Sequence, residues 1–188
     1  EDGTVKEEKV HFSEKLSSRP ESGFLGFLLA PDFKESAKAY AYYTYDRNDQ
    51  PYNRIVILNR QEEGWNEKEV LLDDIPSGQF HHGGRLEFGM DGKLYAATGD
   101  ALQEDQAQNK ESLSGKILRM NLNGTVPDDN PSKESYVYSY GHRNPQGLAW
   151  DEEGNMYSSE HGPSGHDEIN QIFADANYGW PSIKGNEE

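Results

Sequence analysis

The chain has 188 residues, 34 of them acidic and 18 basic, which gives a net charge of −16, and it contains no cysteine. The missing cysteine excludes a disulfide framework, a thiol nucleophile and cysteine-ligated zinc or iron–sulfur sites. The negative charge argues against nucleic acid or an anionic membrane surface as a partner. The longest apolar run, around residues 24–30, is far below the roughly 20 residues that span a bilayer.

The distribution of apolar residues predicts an all-β fold. The chain has 11 Tyr, 7 Phe, 3 Trp and 19 Gly, a composition that favours twisted strands joined by tight turns. No segment of about a dozen residues has the apolar spacing of an amphipathic helix. Short runs bounded by Gly, Asp, Asn or Pro instead predict strands at 38–45, 54–59, 69–72, 85–88, 93–98, 116–120, 136–140, 147–150, 155–158 and 168–173.

The sequence also repeats itself. Leu86 corresponds to Leu148 and Tyr95 to Tyr157, in each case at a distance of 62 positions, and a weaker copy begins near Leu25. A period of roughly 50–60 residues built from short strands is typical of β-propeller blades with inserted loops.

At that period the chain holds about three to four blades, whereas a closed propeller typically needs four to eight. Gly92 and Gly154 supply the positive φ of a hairpin turn in two of the blades. We therefore expect one partial β-propeller domain over residues 1–188. Residues 23–188 carry the blades, and residues 1–22 form either an outer strand or a frayed terminus.

Three polar clusters can carry chemistry. Residues 80–85 hold two histidines and two glycines, and a neutral imidazole there can act as a general base; two idle loop histidines are the plainer interpretation. Arg143 offers a cationic donor fork and Asn144 an amide, which together can stabilise a developing oxyanion. The alternative is an ordinary turn in which Arg143 pairs with a carboxylate. Residues 160–170, followed by 177–181, provide the oxygen atoms that calcium prefers, or form a solvated acidic loop.

Together these segments resemble the soluble sugar dehydrogenases that depend on pyrroloquinoline quinone (PQQ), the glucose/sorbosone or aldose sugar dehydrogenase family. The family fold is a six-bladed β-propeller, of which this chain would supply about three to four blades. The matching motifs occur in family order: GFLG at 23–26, APDF at 30–33, HHGGRL at 81–86, DGKLY at 91–95, TGD at 98–100, LSGKILR at 113–119, GHRNPQGL at 141–148, EHGP at 160–163, DEIN at 167–170 and NYGWP at 177–181.

The resemblance implies a role for three residues in the oxidation of an aldose. His81 matches the family's catalytic base, which removes the proton from the anomeric hydroxyl while the C1 hydride passes to PQQ. Arg143 and Asn144 match the pair that contacts PQQ near its reactive carbonyl, where Arg143 stabilises the developing charge. The product would be a lactone.

The resemblance also implies calcium. Gly162 and Pro163 match the residues whose backbone carbonyls hold the calcium beneath PQQ, where the ion acts as a Lewis acid. Glu168 and Tyr178 match ligands of a second, structural calcium.

The expected function is therefore PQQ-dependent aldose dehydrogenation by a secreted, periplasmic or cell-envelope protein of which this chain is a fragment. Its partners would be a sugar and an external electron acceptor, with no nucleic acid and no membrane span, and the open blade faces would allow self-association. Two alternatives remain: a calcium-binding propeller that acts as an interaction module without turnover, and a lactonase-like hydrolase that uses calcium as a Lewis acid.

Overall fold

A computed structural model describes residues 3–185, and residues 1–2 and 186–188, the ends of the two polar termini, lie outside the described part. Within it the chain is almost entirely β-structure, with one short helix, α1 (Phe33–Ser36), and one 3₁₀ turn, Glu104–Ala107. The strands are β1 Lys9–His11, β2 Phe24–Leu29, β3 Lys38–Arg47, β4 Gln50–Gln61, β5 Gly64–Pro76, β6 Leu86–Phe88, β7 Leu94–Thr98, β8 Lys116–Met120, β9 Val137–Tyr140, β10 Pro145–Trp150, β11 Met156–Glu160 and β12 Glu168–Ile172.

All ten predicted strands are present, as β3 to β12, with ends that differ by a few residues. β4 and β5 are much longer than predicted; in β5 the charged residues Glu67 and Lys68 interrupt the apolar pattern before the predicted segment 69–72. β2 was not among the ten, since its run of consecutive apolar residues shows no alternation. No helix in residues 3–185 has the length and apolar character needed to cross a membrane.

The strands form three successive antiparallel sheets. The first has the order β1-β5-β4-β3-β2, with β1 added in parallel at the edge of β5; the second is β6-β7-β8-β9 and the third is β10-β11-β12. Each sheet takes its strands from one continuous stretch of chain, apart from β1. This is the arrangement expected of consecutive propeller blades.

The 62-residue repeat is visible in the pairing register of the second and third sheets. Leu86 pairs with Ala96 in the second sheet, and Leu148 pairs with Ser158 in the third, so both partners are shifted by 62 positions. The hairpin turn between β6 and β7 contains Gly92 with a φ of 71°, as the turn prediction required. The two blades are therefore copies of one hairpin unit.

Two apolar layers hold the three sheets together. Ile55 of the first sheet and Leu118 of the second belong to one core, and Tyr95 of the second sheet and Leu148 of the third belong to the next. The opposite face of the first sheet is covered in part by the chain around β1, where Phe12 packs on a third apolar cluster. Neighbouring sheets pack against each other through these cores, and loops from different sheets meet at one edge, where Gly83 contacts Asn144.

Candidate functional site

The predicted site residues lie at one edge of the second and third sheets. In an antiparallel meander the end of one strand lies beside the start of the next, so Thr98 pairs with Lys116 and Glu160 pairs with Glu168. Five loops meet at this edge: residues 80–85, 99–103, 141–144, 161–167 and 177–181.

His81 makes a defined contact with a carboxylate that the sequence analysis left without a role. Its Nδ1 lies 2.7 Å from Oδ1 of Asp100, and its side chain is only 12% exposed. Since a carboxylate accepts the hydrogen bond, this contact places a proton on Nδ1, and in the neutral ring the lone pair then lies on Nε2. His81 is thus held in the tautomer that a general base needs.

Asp100 is itself fixed by several donors. Its side chain is fully buried; Oδ2 accepts from the indole N–H of Trp180 at 2.8 Å, and Oδ1 also accepts the N–H of Leu102 at 2.9 Å. Its own N–H donates to the carbonyl of Arg143 at 2.8 Å. Asp100 therefore joins the loop of His81 to the loop of Arg143.

Two glycines allow these loops to approach so closely. A Cβ at Gly99 would overlap the carbonyl oxygen of His81, and one at Gly83 would come within 2.5 Å of the carbonyl oxygen of Ala97. Gly83 also has a φ of 68°, in the region that favours glycine. A larger residue at either position would push the His81 loop away from Asp100.

Arg143 presents a cationic donor to the same edge. Its Nη1 donates to the carbonyl of His161 at 3.0 Å, and its guanidinium carbon lies 5.4 Å from the ring centroid of Trp180. Its backbone N–H donates to the carboxylate of Glu160. The Nε atom is buried and has no hydrogen-bond partner within residues 3–185. Such an orphaned charged donor fits an anionic ligand.

Asn144 forms hydrogen bonds to two other loops at this edge. Its buried side-chain oxygen accepts from the N–H of Gly83 at 3.1 Å and from the amide of Gln146 at 3.0 Å. Its backbone carbonyl accepts the N–H of His161 at 3.2 Å. The structure therefore brings His81, Arg143 and Asn144 into one constellation.

A buried His–Glu pair supports this constellation and was not predicted. Nδ1 of His142 lies 2.9 Å from Oε2 of Glu160, and Nε2 lies 2.8 Å from the hydroxyl of Ser139. The ring stacks on Tyr178, with centroids 4.6 Å apart. Because Glu160 also accepts the backbone N–H of Arg143, the pair fixes the backbone of the segment that carries Arg143.

The four predicted calcium residues line one cleft, together with Arg143. The Tyr178 hydroxyl is already engaged, since it donates to the carbonyl of Gln171 at 2.7 Å and accepts the N–H of Phe173 at 2.9 Å. The predicted residues in the lining are Gly162, Pro163, Glu168 and Tyr178.

The loop at Gly162 is rich in oxygen atoms. A Cβ at Gly162 would overlap the carbonyl oxygens of Gly165 and His166, so these carbonyls converge on it. The N–H of Gly162 donates to the carboxylate of Asp167 at 3.0 Å. Within residues 3–185 there is no group of three or more His, Cys, Asp or Glu side chains that could hold a metal. A calcium site here would depend on carbonyl oxygens, which suit that ion.

His82, the neighbour of His81, has a different environment. It is 1% exposed, its Nε2 lies 2.9 Å from the carbonyl of Pro20, and its Nδ1 lies 2.6 Å from the hydroxyl of Ser77. Burial lowers the pKa of its imidazole below the usual value. Both ring nitrogens are engaged, so His82 anchors the chain before β2 and is unsuited to accept a proton from a substrate.

Comparison with known proteins gives the family of the chain. The family model described as Glucose / Sorbosone dehydrogenase matches residues 1–188. The chain belongs to this family. The resemblance inferred from the motifs is thereby confirmed.

Relatives within the glucose/sorbosone dehydrogenase family include two named enzymes. The chain is 35% identical over 195 residues to quinoprotein glucose dehydrogenase B of Acinetobacter calcoaceticus, covering 88% of this chain and 41% of the relative. It is 37% identical over 172 residues to the aldose sugar dehydrogenase YliI of Escherichia coli K12, covering 86% of this chain and 46% of the relative. The chain spans less than half the length of these curated relatives.

Solved structures confirm the predicted propeller fold. The PQQ-bound form of aldose sugar dehydrogenase from Streptomyces coelicolor matches with a TM-score of 0.86 and 41% identity, over 91% of this chain and 52% of that chain. A putative glucose dehydrogenase from Thermus thermophilus matches with a TM-score of 0.85 and 43% identity, over 92% of this chain and 56% of that chain. The three sheets correspond to the expected three to four blades.

Proposed function

We propose that this chain belongs to a PQQ-dependent aldose dehydrogenase that oxidises the sugar at C1 to the lactone. The observation that supports it most is the pairing of His81 with the buried Asp100. The oxidation removes one hydride and one proton from the sugar, so the protein has to supply a proton acceptor. PQQ, when bound, supplies the quinone that takes the hydride.

His81 is the proton acceptor in this proposal. With Nδ1–H donated to Asp100, the Nε2 lone pair is available to the hydroxyl proton at C1 of the sugar. The imidazolium that forms is stabilised by the adjacent carboxylate, which Trp180 holds in place. Asp100 and Trp180 are positioning residues.

Arg143 supports the assignment of PQQ as cofactor. PQQ is a tricarboxylate, and the chain as a whole has a charge of −16, so local positive charge is needed to bind it. The buried Nε of Arg143 lacks a partner within the described residues, and the guanidinium is rigid and permanently charged. Arg143 would hold an oxygen of PQQ, and Asn144 keeps the loop that carries Arg143 joined to the loop that carries His81.

The first test concerns Arg143. In the full-length natural protein, Arg143→Met should weaken the affinity for PQQ by about 10–100-fold, because hydrogen bonds to charged groups contribute about 1.5–3 kcal/mol. The apoprotein is titrated with PQQ while glucose-dependent dye reduction and tryptophan quenching are followed. Arg47→Met is the matched control, since Arg47 forms an exposed ion pair with Asp74.

Each part of the proposal has its own contrary result. If the wild-type protein shows no PQQ-dependent oxidation of glucose or any other aldose, the proposed function is wrong. If Arg143→Met and Arg47→Met bind PQQ equally well, only the role given to Arg143 is wrong.

We also propose that calcium binds at the oxygen-rich cleft. Gly162 and Pro163 would offer backbone carbonyls to an ion that supplies Lewis acidity, and Glu168 would offer a carboxylate to a second, structural ion. We expect excess calcium to raise the melting temperature relative to EGTA, because a ligand that binds only the folded state stabilises it by about 2.7 kcal/mol at 100 times Kd. Glu168→Gln should reduce this shift, and Glu153→Gln, in an exposed turn, should not.

Superimposable melting curves in calcium and in EGTA would remove calcium from the proposal. A normal shift in Glu168→Gln would keep calcium but exclude Glu168 as a ligand. The hydroxyl of Tyr178 is not expected to contribute, since it already makes two backbone hydrogen bonds.

The location and the electron acceptor follow from the same proposal. An extracytoplasmic protein, whether secreted, periplasmic or held in the cell envelope, would meet free sugars, and fractionation of the native host would test this. An external acceptor would reoxidise the cofactor.

A calcium-binding module without turnover has no need of a histidine paired with the buried Asp100, so this pair favours the enzyme over that alternative.

A further inference from the structure

Lys116 is a buried lysine without an acidic partner. It opens β8 and is 0% exposed, and no carboxylate pairs with it among residues 3–185. Its ammonium donates instead to three backbone carbonyls, those of Gln106 at 2.8 Å, Ala107 at 3.0 Å and Ser114 at 2.6 Å. Burial of a lysine side chain is costly and rare. The segments whose carbonyls accept from the Lys116 ammonium therefore indicate what this residue does.

The ammonium holds the end of the 3₁₀ turn Glu104–Ala107. The last carbonyls of such a turn lack partners within the turn, and Lys116 satisfies those of Gln106 and Ala107. The carbonyl of Ala107 also accepts the N–H of Gly141 at 2.9 Å. Gly141 begins the segment that leads to Arg143.

The residue after this turn continues the connection toward the candidate site. The side-chain amide of Gln108 donates to the carbonyl of Trp180 at 2.6 Å and to Oδ1 of Asn177 at 3.0 Å, and Nδ2 of Asn177 donates back at 2.8 Å. The indole of Trp180 then donates to Asp100, the partner of His81.

We propose that Lys116 is a positioning residue of the candidate site: it fixes the turn Glu104–Ala107, and this turn, through Gln108 and Trp180, sets the orientation of Asp100. The effect on turnover rests on the proposed function. The effect on the order of these segments does not.

The ammonium of Lys116 has three N–H donors, and three backbone carbonyls accept from it, so each donor has one partner. Methionine has a similar length but cannot donate, so Lys116→Met would remove one donor from each of the three carbonyls, and the carbonyl of Ser114 would lose the ammonium at 2.6 Å. Burial lowers the pKa of Lys116 below its usual value, and the three carbonyls that accept from the ammonium favour its charged form and oppose that shift.

The experiment compares Lys116→Met with wild type in the full-length natural protein. We expect amide hydrogen exchange to accelerate at least about 10-fold at residues 104–108 and 177–180, while β7 and β8 stay protected. We expect kcat to fall about 10–100-fold with the sugar KM within about threefold, because misplacement of a reacting group costs up to about 100-fold in rate.

Lys93→Met is the matched control. Lys93 begins the approach to β7 at the other end of the same sheet, and its ammonium donates to Asn121 at 2.7 Å. This variant should leave the exchange of residues 104–108 and 177–180, and kcat, unchanged.

Two results would overturn the proposal: unchanged protection of residues 104–108 and 177–180 in Lys116→Met, or the same loss of kcat in Lys93→Met. If protection is lost but the wild type never oxidises a sugar, the proposed function fails and the structural role of Lys116 stands.

If Lys116→Met does not fold, the variant Gln108→Leu tests the proposal instead, because it removes the next hydrogen-bonded connection at a half-buried position. Unchanged exchange at residues 177–180 and unchanged kcat in that variant would refute the proposal.

Discussion

Replacing His81 with alanine should lower kcat of the full-length natural protein by about 10²–10⁴-fold, the usual contribution of a general acid–base group. The variant loses the imidazole whose Nδ1 is hydrogen-bonded to a buried carboxylate and whose Nε2 keeps its lone pair. The measurement is dye-linked glucose oxidation at saturating PQQ. Asp100→Asn should also lower kcat strongly, since an amide that donates to Nδ1 would favour the wrong tautomer.

His82→Ala is the matched control, because His82 is adjacent in sequence and equally an imidazole. It should lower stability, since it removes contacts to Pro20 and Ser77, while kcat per folded molecule stays within a few fold of wild type. Equal losses of kcat in His81→Ala and His82→Ala would show that the base is misassigned. An active His81→Ala variant would have the same consequence.

Local sequence patterns were sufficient to place β3 to β12, because each of them contains a short apolar run bounded by turn residues. The offset of 62 positions agrees with the pairing register, since Leu86 and Leu148 occupy equivalent places in their hairpins. β1 shows what local patterns omit. Its three residues pair in parallel with β5 across more than 50 positions, and the expectation of an outer strand or a frayed terminus within residues 1–22 named no partner.

The sequence predicted only those candidate site residues whose side chains have a well-known chemical role. His81 and Arg143 were named as candidates and Asp100 and Trp180 were not, although both of the latter stand inside quoted motifs. Their roles arise from a contact between residues 80 positions apart, which only the stacking of loops at one edge creates. Lys116 was missed for a related reason. A lysine in a predicted strand is expected to face solvent. Lys116 is buried because the 3₁₀ turn Glu104–Ala107 packs over it, and the local sequence does not indicate that contact.

The 188-residue chain, purified alone, should show no measurable PQQ-dependent glucose oxidation and should self-associate. The sheets at its two ends expose apolar side chains: Phe27 is 46% exposed and Leu29 45% on the first sheet, and Ile169 is 80% and Phe173 58% exposed at the third. Burying such surface is favourable at about 25 cal/mol per Å², and an unpaired strand edge adds a template for pairing.

Loss of activity has a separate cause. The chain covers 52% of the PQQ-bound Streptomyces coelicolor structure, so in this proposal half of the ring supplies only part of the contacts to the cofactor. Light scattering and a dye-linked glucose assay on the same sample test both expectations. Ile169→Gln should weaken self-association at little cost in stability, since that side chain is already mostly exposed. Met90→Gln, at a turn where Met90 is 69% exposed, should leave it unchanged.

The two expectations can fail independently. A monodisperse monomer without turnover would mean that the exposed sheet faces are too small or too polar to drive association. An associated sample with turnover would mean that two copies complete the cofactor site between them, and Ile169→Gln should then lower activity and association together. A monomer with turnover would contradict both, because it would require the three sheets to form a complete cofactor site by themselves.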